Sequence, residues 1–266
     1  MTICVSVKTR DGIVLGTDSM STVTLFGTEG QSMAQKTYSN ARKLVQIGEL
    51  PVGVFTYGLG NLGSRTVISH ILEYSRTLEF GNDWRVESIA AGLSEHMSRE
   101  YSAIHADVEP GPVLGLHVAG YSDGSSLSEE WEIEFPDSPG PNLEMDSHEF
   151  RVNWEGATLP FGRLFHGFDP GIIRILLEEG VEQNLLQKSL TESPLVPQVS
   201  FSAMPLQDAI NFAVYVLRTT IGFTSFEAGP ATCGGPLQIA VISEEDGFQW
   251  VSRPEFRIPE DTNEWA

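Results

Sequence analysis

Met1-Thr2-Ile3-Cys4-Val5-Ser6-Val7-Lys8-Thr9-Arg10-Asp11-Gly12-Ile13-Val14-Leu15-Gly16-Thr17-Asp18 opens the chain. Apolar and polar residues alternate through Val7, the chain turns at Arg10-Asp11-Gly12, and an apolar run rises again from Ile13. This pattern predicts two antiparallel strands around a Gly-containing turn. Residue 2 decides what such a strand can do. Methionine aminopeptidase can remove Met1 when the next residue is as small as threonine. The strand then begins with a residue that carries both a hydroxyl and a free α-amine. Such a threonine can be its own nucleophile and base.

Beyond that hairpin, residues 20–40 are polar, with Gly27, Gly30 and many Ser and Thr, and read as an irregular loop with a short strand near 23–26. Short strands are expected at 43–47 and 52–57. Gly58-Leu59-Gly60-Asn61-Leu62-Gly63 then leads into a helix over 65–77, where Val67, Ile68, Ile71, Leu72 and Tyr74 keep helical spacing. A second helix is expected over 86–104, with Ile89, Leu93, Met97 and Tyr101 four residues apart. Strands follow at 113–121 and 127–134, turning at Asp123-Gly124. The Pro- and Gly-punctuated segment 136–145 reads as a loop. A strand at 150–154, a helix at 171–179 and a helix at 205–220 come next. In the last of these, Ala209, Phe212, Ala213, Val216 and Leu217 form one apolar stripe. A closing hairpin spans 236–243 and 248–251 around Asp246-Gly247. Strands, two helices, strands, two helices, strands is the order of an α+β domain in which sheets pack on sheets. No internal boundary or repeat interrupts residues 1–252, and 253–266 reads as an acidic C-terminal tail.

Composition narrows the partners. The 266 residues are 41% hydrophobic and 20% charged, as in an ordinary globular protein with a substantial core. The net charge of −20, from 16 Lys plus Arg against 36 Asp plus Glu, disfavours nucleic acid and anionic membrane as partners. Much of the acid falls late, at Glu129-Glu130, Glu178-Glu179, Glu244-Glu245-Asp246 and Pro259-Glu260-Asp261, and reads as solvated faces and a tail. No apolar run reaches the roughly 18 residues of a membrane span, and Lys8, Arg10 and Asp11 break any export signal, so a cytoplasmic location is expected. Cys4 and Cys233 make neither a disulfide framework nor a metal cluster. His70, His96, His105, His117, His148 and His166 show no ligand spacing, so neither a metal nor another cofactor is expected.

Several of these segments carry a resemblance. Thr2 before a strand, the Arg10-Asp11-Gly12-Ile13-Val14-Leu15 hairpin, Asp18, Lys43-Leu44 opening a strand and Tyr57-Gly58-Leu59-Gly60 before the first helix follow one order. Ala119-Gly120-Tyr121 in a central strand, the helix start at Met204–Asp208 and the Gly234-Gly235-Pro236-Leu237-Gln238-Ile239-Ala240-Val241-Ile242 run continue it. In order and register they resemble the proteasome β-subunit family, including the bacterial proteasome-like proteases. The departures suggest a divergent bacterial branch. The 20–40 loop is longer than usual, Ile3 follows the nucleophile where threonine is common, and the family's supporting serines and aspartate are poorly matched. The turn concerned reads Gly167-Phe168-Asp169-Pro170. The segment before the double glycine reads Gly229-Pro230-Ala231-Thr232-Cys233, with no acid unless Glu227 substitutes.

The resemblance implies a four-layer αββα sandwich of N-terminal-nucleophile hydrolase type. It also implies a threonine peptidase assembled as a homo-oligomeric ring around a chamber, acting on peptide or unfolded protein. No phosphate-binding Gly-rich loop is present, so any ATP-driven unfoldase must be a separate protein. Thr2 is the expected nucleophile, with Lys43 beside its Oγ, Asp18 pairing with that ammonium, and the Gly58 N–H as oxyanion donor. Ser21, Ala41, Val45, Thr56 and Gly60 are expected to line the pocket for the residue preceding the cleaved bond. Ser21 and Thr22 are expected to pair their backbones with an extended peptide. Each residue also has a plain structural role: Asp18 as a turn residue, Lys43 as a solvated edge charge, Gly58 and Gly60 as turn glycines. Two other functions fit the same residues. One is an inactive proteasome-like subunit kept for assembly, and the other is an amidohydrolase acting on a small amide. Cys4, two residues from Thr2, and Cys233 are expected to be packed and inert, with a redox-sensitive site as the alternative.

Overall fold

The first strand is buried along its whole length, polar positions included, which is unusual for an alternating segment. In the computed structural model, which describes residues 2–26, 32–78, 81, 83–190 and 199–256, β1 (Ile3–Lys8) and β2 (Ile13–Thr17) bury every residue. Alternation normally marks one buried and one solvated face. Here Ile3, Val5 and Val7 face a helical layer, while the polar alternates find partners within the molecule. Ser6 Oγ donates to Glu130 Oε2 at 2.6 Å, and Lys8 Nζ donates to the Asp146 carbonyl. Burial draws the Lys8 ammonium down to about 8.

The chain continues through β3 (Ser21–Phe26), β4 (Ser32–Tyr38), β5 (Leu44–Gln46), β6 (Val52–Gly58) and the short β7 (Asn61–Leu62) and β8 (Arg65–Thr66). Helices α1 (Val67–Thr77) and α2 (Val86–His105) follow, then β9 (Leu114–Gly120), β10 (Glu129–Phe135), β11 (Ser138–Met145) and β12 (Val152–Gly156). Helices α3 (Leu159–His166), α4 (Gly171–Glu178), α5 (Gln183–Leu190) and α6 (Leu206–Thr224) precede the closing pair β13 (Gln238–Ser243) and β14 (Gly247–Ser252). Two five-stranded antiparallel sheets result, in the orders β12-β1-β2-β13-β14 and β11-β10-β9-β6-β5.

Packing follows from the two periodicities. On α6, Ala209, Ala213, Val216, Leu217 and Thr220 recur three and four residues apart, and the helix lies across β1 and β2 over Ile3, Val5 and Val14. On α2, Ile89, Ala90, Leu93, Met97 and Tyr101 cover β9 and β10 over Leu116, Val118 and Ile133. Helix α1 begins where Thr66 Oγ1 accepts from the Ser69 N–H at 3.1 Å, a side-chain N-cap. A third cluster, with Cys4, Leu15, Leu44, Phe55 and Ala240, joins the two sheets. The result is a mixed α/β fold. No helix among the described residues is long and apolar enough to cross a membrane.

Three expectations need correction. Within the segment expected as an irregular loop with one short strand at 23–26, two strands pair, β3 with β4 in the register Ser21↔Tyr38. Threonine suits strands as well as loops, and this pair stands as its own two-stranded sheet without a strong apolar signal. Segment 138–145 is a strand despite Pro139 and Pro141, because β11 is a sheet edge where missing N–H donors cost little. Helices α3 and α5 are additional to the expected elements: Pro160 and Gly162 break the helical composition of α3, and α5 is largely polar with Leu186 as its buried residue. Met1, Gly27, Gly30, part of the long polar segment and residues 257–266 of the acidic tail lie outside the described residues.

Between the sheets sits a polar network. Glu130, Glu132 and Glu134 alternate on β10, so they project from one face. His117 Nδ1 stands 2.6 Å from Glu130 Oε1 and its Nε2 3.3 Å from Glu132 Oε1, while Tyr57 donates to Glu132 and Glu134. Burial alone would lower His117; hydrogen bonds and charge from Glu130 and Glu132 outweigh it and hold the imidazolium up to about 10. Burial raises the neighbouring Glu155 carboxyl to about 7, with His117 opposing and Glu132, Glu144 and Glu134 adding. Its folded pKa therefore exceeds the unfolded value of about 4.3, so its stabilising contribution is full below that value and lost as pH rises through 7. Glu155→Gln should gain stability relative to the parent at pH 8 compared with pH 4.5. Urea midpoints at the two pH values test this, and an equal difference at both would refute it.

Candidate active site

Thr2 is 6% exposed and immediately precedes β1, held there by its own backbone. Its carbonyl accepts from the Ala157 N–H at 2.7 Å. Gly156, at φ +90°, allows this approach; a Cβ there would lie 2.0 Å from the Thr2 oxygen. Asp18 follows β2 and is fully buried, because β2 runs antiparallel to β1 and returns the chain to the same end. Lys43 immediately precedes β5 of the other sheet and is 6% exposed.

These three side chains meet. Lys43 Nζ donates to Thr2 Oγ1 at 2.9 Å and to Asp18 Oδ1 at 2.6 Å. Asp18 is saturated with donors, since Oδ1 also accepts from the Ile3 N–H at 3.2 Å, and Oδ2 accepts from Met20 N–H at 3.1 Å and Gly234 N–H at 2.9 Å. Lys43 thus enters an edge strand but is buried rather than solvated, and Asp18 is more than a turn residue: it binds the ammonium, the first strand and the double-glycine loop together.

Gln238, the first residue of β13 and fully buried, ties the same segments from below. Its Oε1 accepts from the N–H groups of Lys43 at 3.1 Å and Leu44 at 3.4 Å, and its Nε2 donates to Ala41 O at 2.9 Å and Ser19 Oγ at 3.1 Å. The sequence reading places Gln238 only within a strand-opening run. Its place as an amide at the head of the apolar run Ile239–Ile242 is the signal that could have singled it out. Gln238→Ala orphans several buried groups at once and should lower the unfolding free energy by about 2–3 kcal/mol. Denaturant titration tests this, and a loss under about 0.5 kcal/mol would show that the clamp is dispensable.

Thr2 and Lys43 open into a cleft of about 400 Å³. Ser21, Thr22, Ala41, Thr56, Gly58 and Gly60 line it. Val45 does not; it is fully buried in the core beneath α1 and α2 and supports the cleft from behind. Gly58 sits at φ +79°, and a Cβ there would lie 2.2 Å from the Val113 carbonyl, so the turn past the cleft needs glycine. The sequence reading missed the first turns of α1, where Thr66, Val67, Ser69 and Leu72 form a wall, and Arg42, an exposed cation at the cleft. The Thr56 hydroxyl in the cleft has no hydrogen-bond partner among the described residues.

The residues of the poorly matched segments make other contacts. Asp169 is engaged by Arg163 at 2.5 and 3.0 Å and by the Gly171 N–H, and Glu227 is exposed. Cys4 donates to the Thr56 carbonyl at 3.4 Å and Cys233 packs against the α6 side of the first sheet. Burial pushes the Cys4 thiol well up and raises Cys233 to about 11, so both are poor thiolates. In chemical terms the arrangement is a hydroxyl at a strand start, an ammonium in contact with it, and a buried carboxylate holding that ammonium, all beside an open cleft.

No protein-family model and no curated protein matches the sequence. Solved structures do. Anbu (ancestral beta-subunit) from Yersinia bercovieri superposes with a TM-score of 0.55 at 14% identity, covering 94% of this chain and 86% of that one. Anbu from Hyphomicrobium sp. strain MC1 gives a TM-score of 0.55 at 13% identity, over 94% of this chain and 85% of its own. A Gly-1 mutant of that protein matches at 14% identity with the same TM-score, over 95% and 85%. The chain therefore has the mixed α/β fold of the proteasome-like Anbu proteins.

Proposed function

We propose that this chain is an N-terminal threonine hydrolase of proteasome type, a peptidase from a divergent bacterial branch. The observation that carries the reading is the Lys43 ammonium placed 2.9 Å from Thr2 Oγ1 and 2.6 Å from the buried Asp18 carboxylate. A buried lysine–aspartate pair is costly to build, and a hydrophobic pair would pack there at least as well. Its placement against a threonine hydroxyl in an open cleft supports chemistry rather than stability.

In this reading Met1 is removed and the freed α-amine, with a reference pKa of about 7.7–8.0, takes the proton from Thr2 Oγ. The Lys43 ammonium stabilises the oxygen as it attacks the substrate carbonyl. The Gly58 N–H receives the developing oxyanion. Collapse expels the amine, which takes its proton from the α-ammonium, and water then releases the acyl group from Oγ. Asp18 keeps Lys43 in contact with Oγ throughout. Ser21, Ala41, Thr56 and Gly60 form the pocket wall for the residue before the cleaved bond, suited to a small or medium apolar side chain. Ser21 and Thr22 offer their backbones to an extended peptide or an unfolded chain. The architecture is a four-layer αββα sandwich over residues 1–252, with 253–266 as an acidic tail, in a cytoplasmic protein.

Homo-oligomeric ring assembly belongs to the same reading. Helix α4 has no buried residue and displays Ile172, Ile175 and Leu177, with Leu164 and Leu185 exposed on the neighbouring helices. A second copy would cover such apolar surface. At −20 per chain the contacts of a ring should weaken at low salt, and delivery of folded substrates falls to a separate ATP-driven unfoldase.

Intact mass before and after treatment with a threonine-directed peptide epoxyketone tests the assignment. Loss of Met1 and one adduct, absent in Thr2→Ala, are expected. Retained Met1 with no adduct would move the reading to an inactive assembly subunit. An adduct on a protein that cleaves small amides but no peptides would favour an amidohydrolase.

A further inference from the structure

Helices α1 and α2 pack side by side, and their facing surfaces bring two histidines together. The ring centroids of His70 on α1 and His96 on α2 stand 6.3 Å apart. Glu73 lies three residues beyond His70 and Glu100 four beyond His96, so each helix presents one histidine and one glutamate on the same side. His70 is only 3% exposed. Its Nε2 faces the Leu62 carbonyl at 3.4 Å, and an N–H there donates to that oxygen. The ring's Nδ1 is buried with no hydrogen-bond partner among the described residues; Glu100 Oε2 lies 3.5 Å from it. On the opposite helix His96 Nε2 is likewise buried without a hydrogen-bond partner.

An orphaned buried nitrogen costs about 1–3 kcal/mol, so two of them facing one carboxylate call for a shared partner. One donor atom from each of His70, Glu73 and His96 lies within 4.8 Å of the others. Glu73 also pairs with Arg65 through Oε2, which leaves Oε1 available. Glu73 and Glu100 are about half and two-fifths exposed, so the mouth of the site is open to solvent while its nitrogens are not.

We infer that His70, Glu73 and His96 form a binding site for a zinc-class divalent cation that ties α1 to α2, with Glu100 or water at the fourth position. Two imidazole nitrogens with one or two carboxylate oxygens are the donor set of borderline cations such as Zn²⁺ or Co²⁺ rather than of Ca²⁺ or Mg²⁺. Donors bound at about 2.1 Å in a tetrahedron stand about 3.4 Å apart, and the three donors already lie within 4.8 Å of one another, so binding asks only a small closure, which the exposed Glu73 can supply. The other histidine–glutamate cluster, His117 with Glu132 and Glu155, is a poorer candidate. There Glu130 already engages Nδ1 at 2.6 Å, Glu132 stands 3.3 Å from Nε2, and the two carboxylates hold the imidazolium up to about 10. The first turns of α1 also wall the cleft beside Thr2, so the cation would sit on the helix that shapes that wall.

The test is a Co²⁺ titration of the untagged full chain after dialysis against a chelator, read by visible d–d absorption and thermal melting. It needs no hydrolytic activity, so its outcome is separate from that of the peptidase assignment. One equivalent of Co²⁺ should give d–d bands that Zn²⁺ abolishes, with a rise in melting temperature for either metal. His96→Gln and the exposed Glu73→Gln should each weaken binding more than 10-fold while circular dichroism stays unchanged. Glu155→Gln should bind like the parent. Absence of bands in the parent, or equal binding by Glu73→Gln and His96→Gln, would overturn the site.

Discussion

Thr2→Ala is expected to abolish hydrolysis while leaving the fold in place. The methyl of alanine keeps the strand start intact, because the contact that seats residue 2 is a backbone one, from Ala157 N–H to the residue 2 carbonyl at 2.7 Å. Lys43 loses the hydroxyl as one acceptor but keeps Asp18 at 2.6 Å, so the stability cost should be about 1 kcal/mol. The catalytic cost is of another order. Without the nucleophile no acyl-enzyme forms, and the rate should fall by at least about 10³-fold, to what binding and oxyanion stabilisation alone supply. Peptide hydrolysis and a denaturant titration on the same preparation measure both numbers. Turnover within about 10-fold of the parent would remove Thr2 from the chemistry and, with it, the proposed function.

Asp18→Ala should instead strike stability first. It strips the counter-charge from an ammonium that is 6% exposed and orphans the N–H groups of Ile3, Met20 and Gly234. Breaking a buried pair from one side typically costs about 3–5 kcal/mol, a large part of the roughly 5–15 kcal/mol that holds a domain folded. Activity should also be lost, because an unpaired Lys43 has no reason to remain against Thr2 Oγ1. Adding Lys43→Met in the Asp18→Ala background removes the stranded charge and should recover about 1–3 kcal/mol while restoring no hydrolysis. This separates the structural role of the pair from its chemical one. A cost below about 1 kcal/mol for Asp18→Ala would mean that the buried pair is not load-carrying in the fold.

What was legible along the chain was what depends on near neighbours. The opening hairpin, the strand-to-helix turn at Gly58 and the apolar stripes of α1, α2 and α6 follow from periods of two and 3.6 and from glycine punctuation. Even so, the polar alternates of β1 read correctly as strand but not as buried, because their partners Glu130 and Asp146 stand more than a hundred residues away. Strand β11 was hidden for a related reason: only its place at a sheet edge makes Pro139 and Pro141 tolerable.

The candidate site divides along the same line. Thr2, Asp18 and Lys43 could be named from the resemblance, and the fold brings them within hydrogen-bonding distance. The Gln238 clamp, the α1 wall and the withdrawal of Val45 from the cleft depend on which segments cross at one end of the two sheets. The facing of His70 and His96 is the clearest case. Twenty-six residues and a helix reversal separate them, so no ligand spacing shows in the sequence, and only the packing of α1 on α2 sets their rings 6.3 Å apart. Local order is written by covalent neighbours through backbone period and turn chemistry. Where donors, acceptors and charges converge is decided by burial, which no single segment specifies.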